Sequence, residues 1–241
     1  MELLLLAAAV AAYVAWRRRG SPPWRAPGRR TRHTGHPPGA GASAAARAAA
    51  LRRQARGGPG RQMQAALGLD PAGGRQRAQA ARWEAGAEGE RRTAGILAQL
   101  GPGWVVLHDR ALPSGRANID HLVIAPGGVV FVVDAKLWSA RWPVTTSGGR
   151  LLHGRVDRTD AVASVIHEAR AAGEVLGVSV TPLIAVHGAA VARGGFQIQG
   201  VRVIPAAELL GVLRASARGA AVVPVEVLAR RARAGLPPYP N

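Results

Sequence analysis

Of the 32 basic residues in this chain, 31 are arginine and one, Lys136, is lysine. It closes the run Val129-Val130-Phe131-Val132-Val133-Asp134-Ala135-Lys136, two residues after a carboxylate. Arginine is a planar, permanently charged fork, whereas lysine is a compact ammonium that fits tight sites and has a tunable pKa. A lysine kept where every other cation is arginine points to chemistry rather than to bulk charge. Side chains alternate faces along a strand, so Asp134 and Lys136 share a face with Val130 and Val132. A second strand-like run, Asn118 to Ala125, precedes it, and Pro126-Gly127-Gly128 between them is a hairpin signal. Folding the pair there brings Asp120 beside Asp134, and His121 falls on the opposite face. Two carboxylates pressed together raise each other's pKa unless a positive charge neutralises them. A hard divalent cation suits such oxygen ligands, and Mg²⁺ is ordinarily held by one or two carboxylates with waters and a phosphate. Such an ion polarises a phosphoryl oxygen and activates water. The ammonium of Lys136 would orient that water or stabilise developing negative charge.

This arrangement resembles the active site of the PD-(D/E)xK nuclease superfamily. The flanking residues sharpen the resemblance. Gly86-Ala87-Glu88-Gly89-Glu90-Arg91-Arg92-Thr93-Ala94, Asn118-Ile119-Asp120-His121-Leu122-Val123-Ile124-Ala125-Pro126-Gly127-Gly128 and Val132-Val133-Asp134-Ala135-Lys136 are similar, in order, to the three motifs of the nuclease-related domain (NERD). That branch is common in bacterial proteins, some of them membrane-associated. The similarity runs from about Gly86 to Arg214. It implies a restriction-endonuclease-like mixed sheet flanked by helices and a Mg²⁺-dependent nuclease, with Mn²⁺ as an alternative metal. It further implies that Glu90 is the helix acid, Asp120 and Asp134 the strand ligands, Lys136 the catalytic lysine, and the Ala135 carbonyl a metal ligand. Asp134 stands where this branch often has glutamate. Leu137-Trp138-Ser139-Ala140 stands where the family often shows a polar residue and then glycine, which alters the rim of the site.

The elements that must position these residues are legible in outline, and they give an α/β layer fold. Gln76–Leu100 predicts a helix with weak points at Gly86 and Gly89. Trp104–Asp109 predicts a strand, and Leu151–Val156 another. Asp157 or Thr159 caps a helix to about Leu176 whose apolar stripe is Val162, Val165, Ile166, Ala169 and Ala172. Pro182–Val186 and Val201–Ile204 are compact strands, and helices over Ala206–Arg214 and Val223–Ala234 close the chain. Trp138 and Trp142 are placed either to stack on bases or to cover the end of the sheet. His153, His167 and His187 are scattered and form no ligand set.

The chain has 241 residues and no cysteine, which excludes disulfides, zinc-thiolate sites, iron–sulfur clusters and cysteine catalysis. Its net charge is +18. Residues 1–85 carry 15 Arg against Glu2, Asp70 and Glu84, a net of 15 − 3 = +12. That excess favours anionic partners, either nucleic-acid phosphates or anionic lipid headgroups. The apolar run Leu3–Trp16 is followed by Arg17-Arg18-Arg19. It is roughly 21 Å long as a helix, short of the ~30 Å hydrocarbon core, but suited to a short anchor with Tyr13 and Trp16 at the interface. The charges follow the run rather than precede it, so a cleaved signal peptide fits less well. The positive-inside rule then places the remainder in the cytoplasm. The expected organisation is an anchor at 1–19, a basic Pro/Gly/Ala/Arg-rich linker at 20–75, a nuclease-related domain at 76–216, and a C-terminal helix and tail at 217–241. The linker reads as a loosely packed spacer, with helical stretches over 42–56 and between Gly60 and Asp70. Two functions compete: a membrane-tethered nuclease acting on DNA, and an inactive nucleic-acid-binding or interaction module on the same fold.

Overall fold

The computed structural model describes residues 39–56, 71–114, 117–217 and 223–240. The segment Leu3–Trp16, most of the basic linker and the helix expected between Gly60 and Asp70 lie outside them. Among the described residues no helix is long and apolar enough to cross a membrane.

Helices α1 (Ala42–Arg56) and α2 (Pro71–Leu97) precede strands β1 (Val105–Ala111), β2 (Asn118–Ile124) and β3 (Val130–Leu137). Three short strands follow, β4 (Val144–Ser147), β5 (Arg150–His153) and β6 (Val156–Asp157), and then α3 (Thr159–Leu176). Strands β7 (Val180–His187), β8 (Phe196–Ile198) and β9 (Val201–Pro205) lead to α4 (Leu209–Ser216) and α5 (Val225–Gly235). The main sheet has the order β1-β2-β3-β7-β9-β8, and β4, β5 and β6 form a separate small sheet. The first three strands are antiparallel, β3, β7 and β9 are mutually parallel, and β8 returns antiparallel to β9.

The glycine turn closes the β2–β3 hairpin as its sequence predicts: Gly128 N–H donates to the Ala125 carbonyl at 2.8 Å. Parallel pairing of β3 with β7 needs a crossover, and α3 supplies it. Its Val162, Val165, Ala169 and Leu176 pack on Leu122, Ile124, Val130, Val132 and Ile184. The opposite face of the sheet buries Val123, Phe131, Val133, Leu183 and Ile204 against Leu97 of α2 and Leu209 and Leu213 of α4. Both faces of β3 are therefore core. The face carrying Asp134 and Lys136 is buried along Val130 and Val132 and opens only at its end.

Three features differ from the sequence expectation. Helix α2 starts at Pro71, where Asp70-Pro71-Ala72-Gly73-Gly74 reads as a break. A first-turn proline is tolerated because helix starts leave that N–H unpaired anyway. Strands β4 and β8, of four and three residues, are too brief to leave an alternation. The spacer reading also fails for 42–56, because α1 is docked on α2 with Ala44, Ala48 and Ala55 buried. The contact is made by small side chains, so it leaves no large apolar signal. A Cβ on Gly41, at φ +71°, would stand 2.7 Å from the Ala87 carbonyl oxygen.

The C-terminal segment is equally integral. Leu228, Ala229, Ala232 and Leu236 enter the α3-side core. The tail then runs along β1: Ala111 N–H donates to Pro237 O at 2.8 Å and Tyr239 N–H to Asp109 O at 2.8 Å. This covers a strand edge that would otherwise present unpaired backbone groups.

Gly86 and Gly89, three residues apart in α2, have different reasons to be there. A Cβ on Gly86 meets nothing within 4 Å, whereas one on Gly89 stands 3.3 Å from the backbone nitrogen and Cβ of Leu137. Gly86→Ala should stabilise the protein by up to about 1 kcal/mol, the helix-propensity gain. Gly89→Ala should lose that gain to crowding against β3. Denaturant unfolding of the two variants tests the contrast.

Candidate active site

The hairpin register pairs His121 with Val133, which puts Asp120 and Asp134 one step beyond the last paired position. There β2 stays with β1, pairing Ile119 with Arg110, and parts from β3. The Ala135 N–H donates to Asp120 Oδ2 at 2.9 Å. Across the strand, Lys136 Nζ donates to Asp134 Oδ1 at 2.5 Å. The Asp134 side chain is 5% exposed and that of Lys136 31%. Glu90 of α2 is buried, and so is Glu168 of α3, which accepts a hydrogen bond from Ser164 Oγ at 3.1 Å. All five residues line one open cleft of about 770 Å³, together with Ser43 and Arg47 of α1, Trp138, Val156 and Arg158. The Ala135 carbonyl oxygen lies 3.7 Å from the place a Cβ on Gly89 would take. The glycine thus lets the helix bearing Glu90 approach the strand bearing Asp134.

Burial, then the Asp109 carboxylate, pushes Glu90 up to about 7, against the pull of Lys136. Burial and the Asp134 carboxylate push Glu168 up to about 8. Burial, followed by the charges of Glu90 and Asp134, raises Asp120 well above the ordinary carboxyl range. Burial alone would depress the Lys136 ammonium, but Asp134 and Asp120 outweigh it and the net shift is upward. Carboxylates supplied by four different elements thus share one ammonium.

The donor set fits a hard cation. Glu90 Oε2 and Asp134 Oδ2 are buried acceptors without a hydrogen-bond partner among the described residues. Buried polar atoms are nearly always partnered, and orphaned carboxylate oxygens call for positive charge. Among the described residues no three acidic or histidine side chains stand close enough to enclose an ion together. The arrangement is therefore open, of the kind in which water and phosphate oxygens complete Mg²⁺ coordination.

His121 lies on the other face, as strand alternation requires. It is fully buried, and its Nδ1 is 2.8 Å from His108 Nδ1. Glu88 is a surface residue paired with Arg91 and Arg92. His187 bonds Thr93 Oγ1 at 2.7 Å, and His153 contacts the Ser139 carbonyl at 3.0 Å. Glu168 is the residue that sequence reasoning misses. Its signal is a charge three residues after Val165 and four before Ala172, on the apolar stripe of α3.

A six-stranded mixed sheet flanked by helices, with acids and a lysine at the open end of a hairpin, fits a nuclease-like α/β fold. Residues 85–191 match the family model of the nuclease-related domain (NERD). This segment is therefore similar to the nuclease-related domain, in keeping with a protein of the PD-(D/E)xK type. Comparison with curated proteins and with solved structures gave no significant match. Every acid in the cleft and Lys136 fall inside the matched segment, whereas α1, β8, β9, α4 and α5 fall outside it.

Glu90 and Glu168 bind protons more tightly in the folded chain than in an unfolded one. Stability from that source is present at low pH and is lost as pH rises through about 7 to 8. Burial lowers the imidazoles of His108, His121 and His187, which act in the opposite sense below neutral pH, so the carboxyl contribution is read as the difference between metal-free wild type and Glu168→Gln. Glu168→Gln should flatten the alkaline loss and raise the melting temperature at the alkaline end. Calorimetry of both proteins in EDTA from about pH 5.5 to about pH 8.5 reads the difference.

Proposed function

We propose that the domain is a nuclease that hydrolyses phosphodiester bonds, with DNA as its substrate and Mg²⁺, or Mn²⁺, as its metal. The observation that carries this reading is the meeting of Asp120, Asp134 and Lys136 where β2 and β3 part, inside the matched segment and at the wall of one cleft. Asp120 and Asp134 would hold the ion with the Ala135 carbonyl, and Glu90 would add its charge at the wall of the cleft. When bound, a divalent cation supplies the charge that polarises a phosphoryl oxygen and lowers the pKa of an attacking water. Lys136 holds its proton, because the neighbouring carboxylates favour the charged form. Its ammonium would orient the attacking water or donate to developing negative charge. Asp134 fixes its direction through the 2.5 Å contact. Asp120 ties the ligand strand in place by accepting the Ala135 N–H. Glu168 adds a carboxylate from the α3 side. The Leu3–Trp16 run with its arginines would tether the domain to the cytoplasmic face of a membrane, and the Arg-rich segment would contact anionic lipid or phosphate.

Purified protein should nick or degrade DNA in the presence of Mg²⁺ or Mn²⁺ and not in EDTA. Asp134→Asn and Lys136→Ala should each lower the rate by about a hundredfold or more, as loss of a transition-state contact does. Lys136→Arg should also lose most activity, since a planar fork does not replace a compact ammonium. Metal-dependent cleavage at the wild-type rate by both Asp134→Asn and Lys136→Ala would overturn the assignment.

A further inference from the structure

Among the described residues the large apolar side chains left exposed are Trp142 and Val156, each 51% accessible. They belong to one small structure. Val156 is in β6, and Trp142 packs on the turn between β5 and β6, where a Cβ on Gly154 would stand 3.0 Å from the Trp142 Cβ and Cγ. Trp142 and Trp138 look equivalent in sequence, but their surroundings separate them. Trp138 is half-buried and stacked on His153, with ring centroids 5.5 Å apart and planes at 16°, and it lines the cleft. The Arg141 guanidinium lies over the Trp142 ring at 5.3 Å.

The surface around Trp142 is basic. Arg141 and Arg155 are exposed, and Asp157 is paired with Arg150. The patch also leads into the cleft: Val156 and Arg158 line it with Asp134 and Lys136. The Arg158 Nε is buried without a hydrogen-bond partner among the described residues. An exposed indole flanked by arginines, continuous with an acidic site, matches what a nucleic-acid strand offers, namely a flat base with phosphates on either side.

We propose that the small sheet is a docking surface for an unpaired nucleic-acid strand. Trp142 stacks on a base, Arg141 and Arg155 meet the phosphates beside it, and Val156 and Arg158 lead the strand to the cleft. This rests on the nuclease reading for its substrate, yet it is tested without cleavage. An exposed indole is sequence-tolerant, because every base has a π-face. A duplex keeps its bases stacked on one another and gains less from it.

The test is binding of a labelled single-stranded oligonucleotide and of its duplex to the full chain in EDTA, read by fluorescence anisotropy. Trp142→Ala should weaken single-strand binding about tenfold, the loss of one base–aromatic stack, and should weaken duplex binding less. Trp142→Phe, which keeps a π-face, should recover most of the affinity. Arg155→Ala should shallow the salt dependence of single-strand binding. Unchanged single-strand affinity in Trp142→Ala would overturn the proposal. So would a variant that only loses self-association, because that assigns Trp142 to a contact between copies of the chain. Asp134→Asn should bind at least as tightly as the wild type in EDTA. If binding depends on Trp142 while no condition gives cleavage, the docking surface stands and the hydrolysis reading falls. If cleavage is normal while the Trp142 variants bind as the wild type does, the hydrolysis reading stands and the docking surface falls.

Discussion

The interaction on which the rest depends is the crowding of carboxylates, three buried and one half-buried, around one ammonium. Glu90, Asp120, Asp134 and Glu168 come from a helix, two strands and a second helix, and among the described residues only Lys136 answers them from within the cluster. Like charges do not gather in a low-dielectric interior of their own accord. Something must hold them there, and here it is the apolar packing on both faces of β3. Val130 and Val132 lock α3, and with it Glu168, over one face; Phe131 and Val133 lock the opposite core. The apolar packing of the domain thus holds together charges that repel one another.

The separation of β2 from β3 is the local device that makes this possible. A continued ladder would satisfy the Ala135 N–H with backbone and close the gap. Because β2 turns with β1 instead, Asp120 takes that N–H, and its carboxylate is fixed by the strand that carries Asp134 and Lys136. One side chain both repairs a missing backbone bond and contributes charge to the cleft. The approach of Gly89 to Leu137 then allows Glu90 to reach the same place.

The central hairpin is legible in the sequence because three kinds of pattern agree there. A period of two sets the faces, a glycine turn sets the register, and the lone lysine among arginines marks the end where the acids meet. Helix α3 is legible from its stripe, yet Glu168 does not stand out, since in a sequence a charge beside apolar positions looks like one more solvated residue. Only the packing shows that it faces inward. The docking of α1 is hidden for a different reason. Its interface is alanine on alanine, drawn close by Gly41, and such contacts carry no hydrophobic periodicity. The fates of Trp138 and Trp142 depend on which of them meets His153, a tertiary fact no local pattern holds.

Asp109 links parts of the chain that are remote in sequence. Its Oδ2 accepts the Ser43 N–H at 2.8 Å, its Oδ1 accepts from Asn118 Nδ2 at 2.9 Å, and its carbonyl accepts the Tyr239 N–H. Arg47 donates to the Tyr239 hydroxyl at 2.8 Å and lies over both that ring and Trp83. Helix α1 and the C-terminal tail are therefore fastened at one corner, and the domain is a ring closed without a covalent bond. Loss of the final few residues would act at a distance, loosening the helix that walls the cleft.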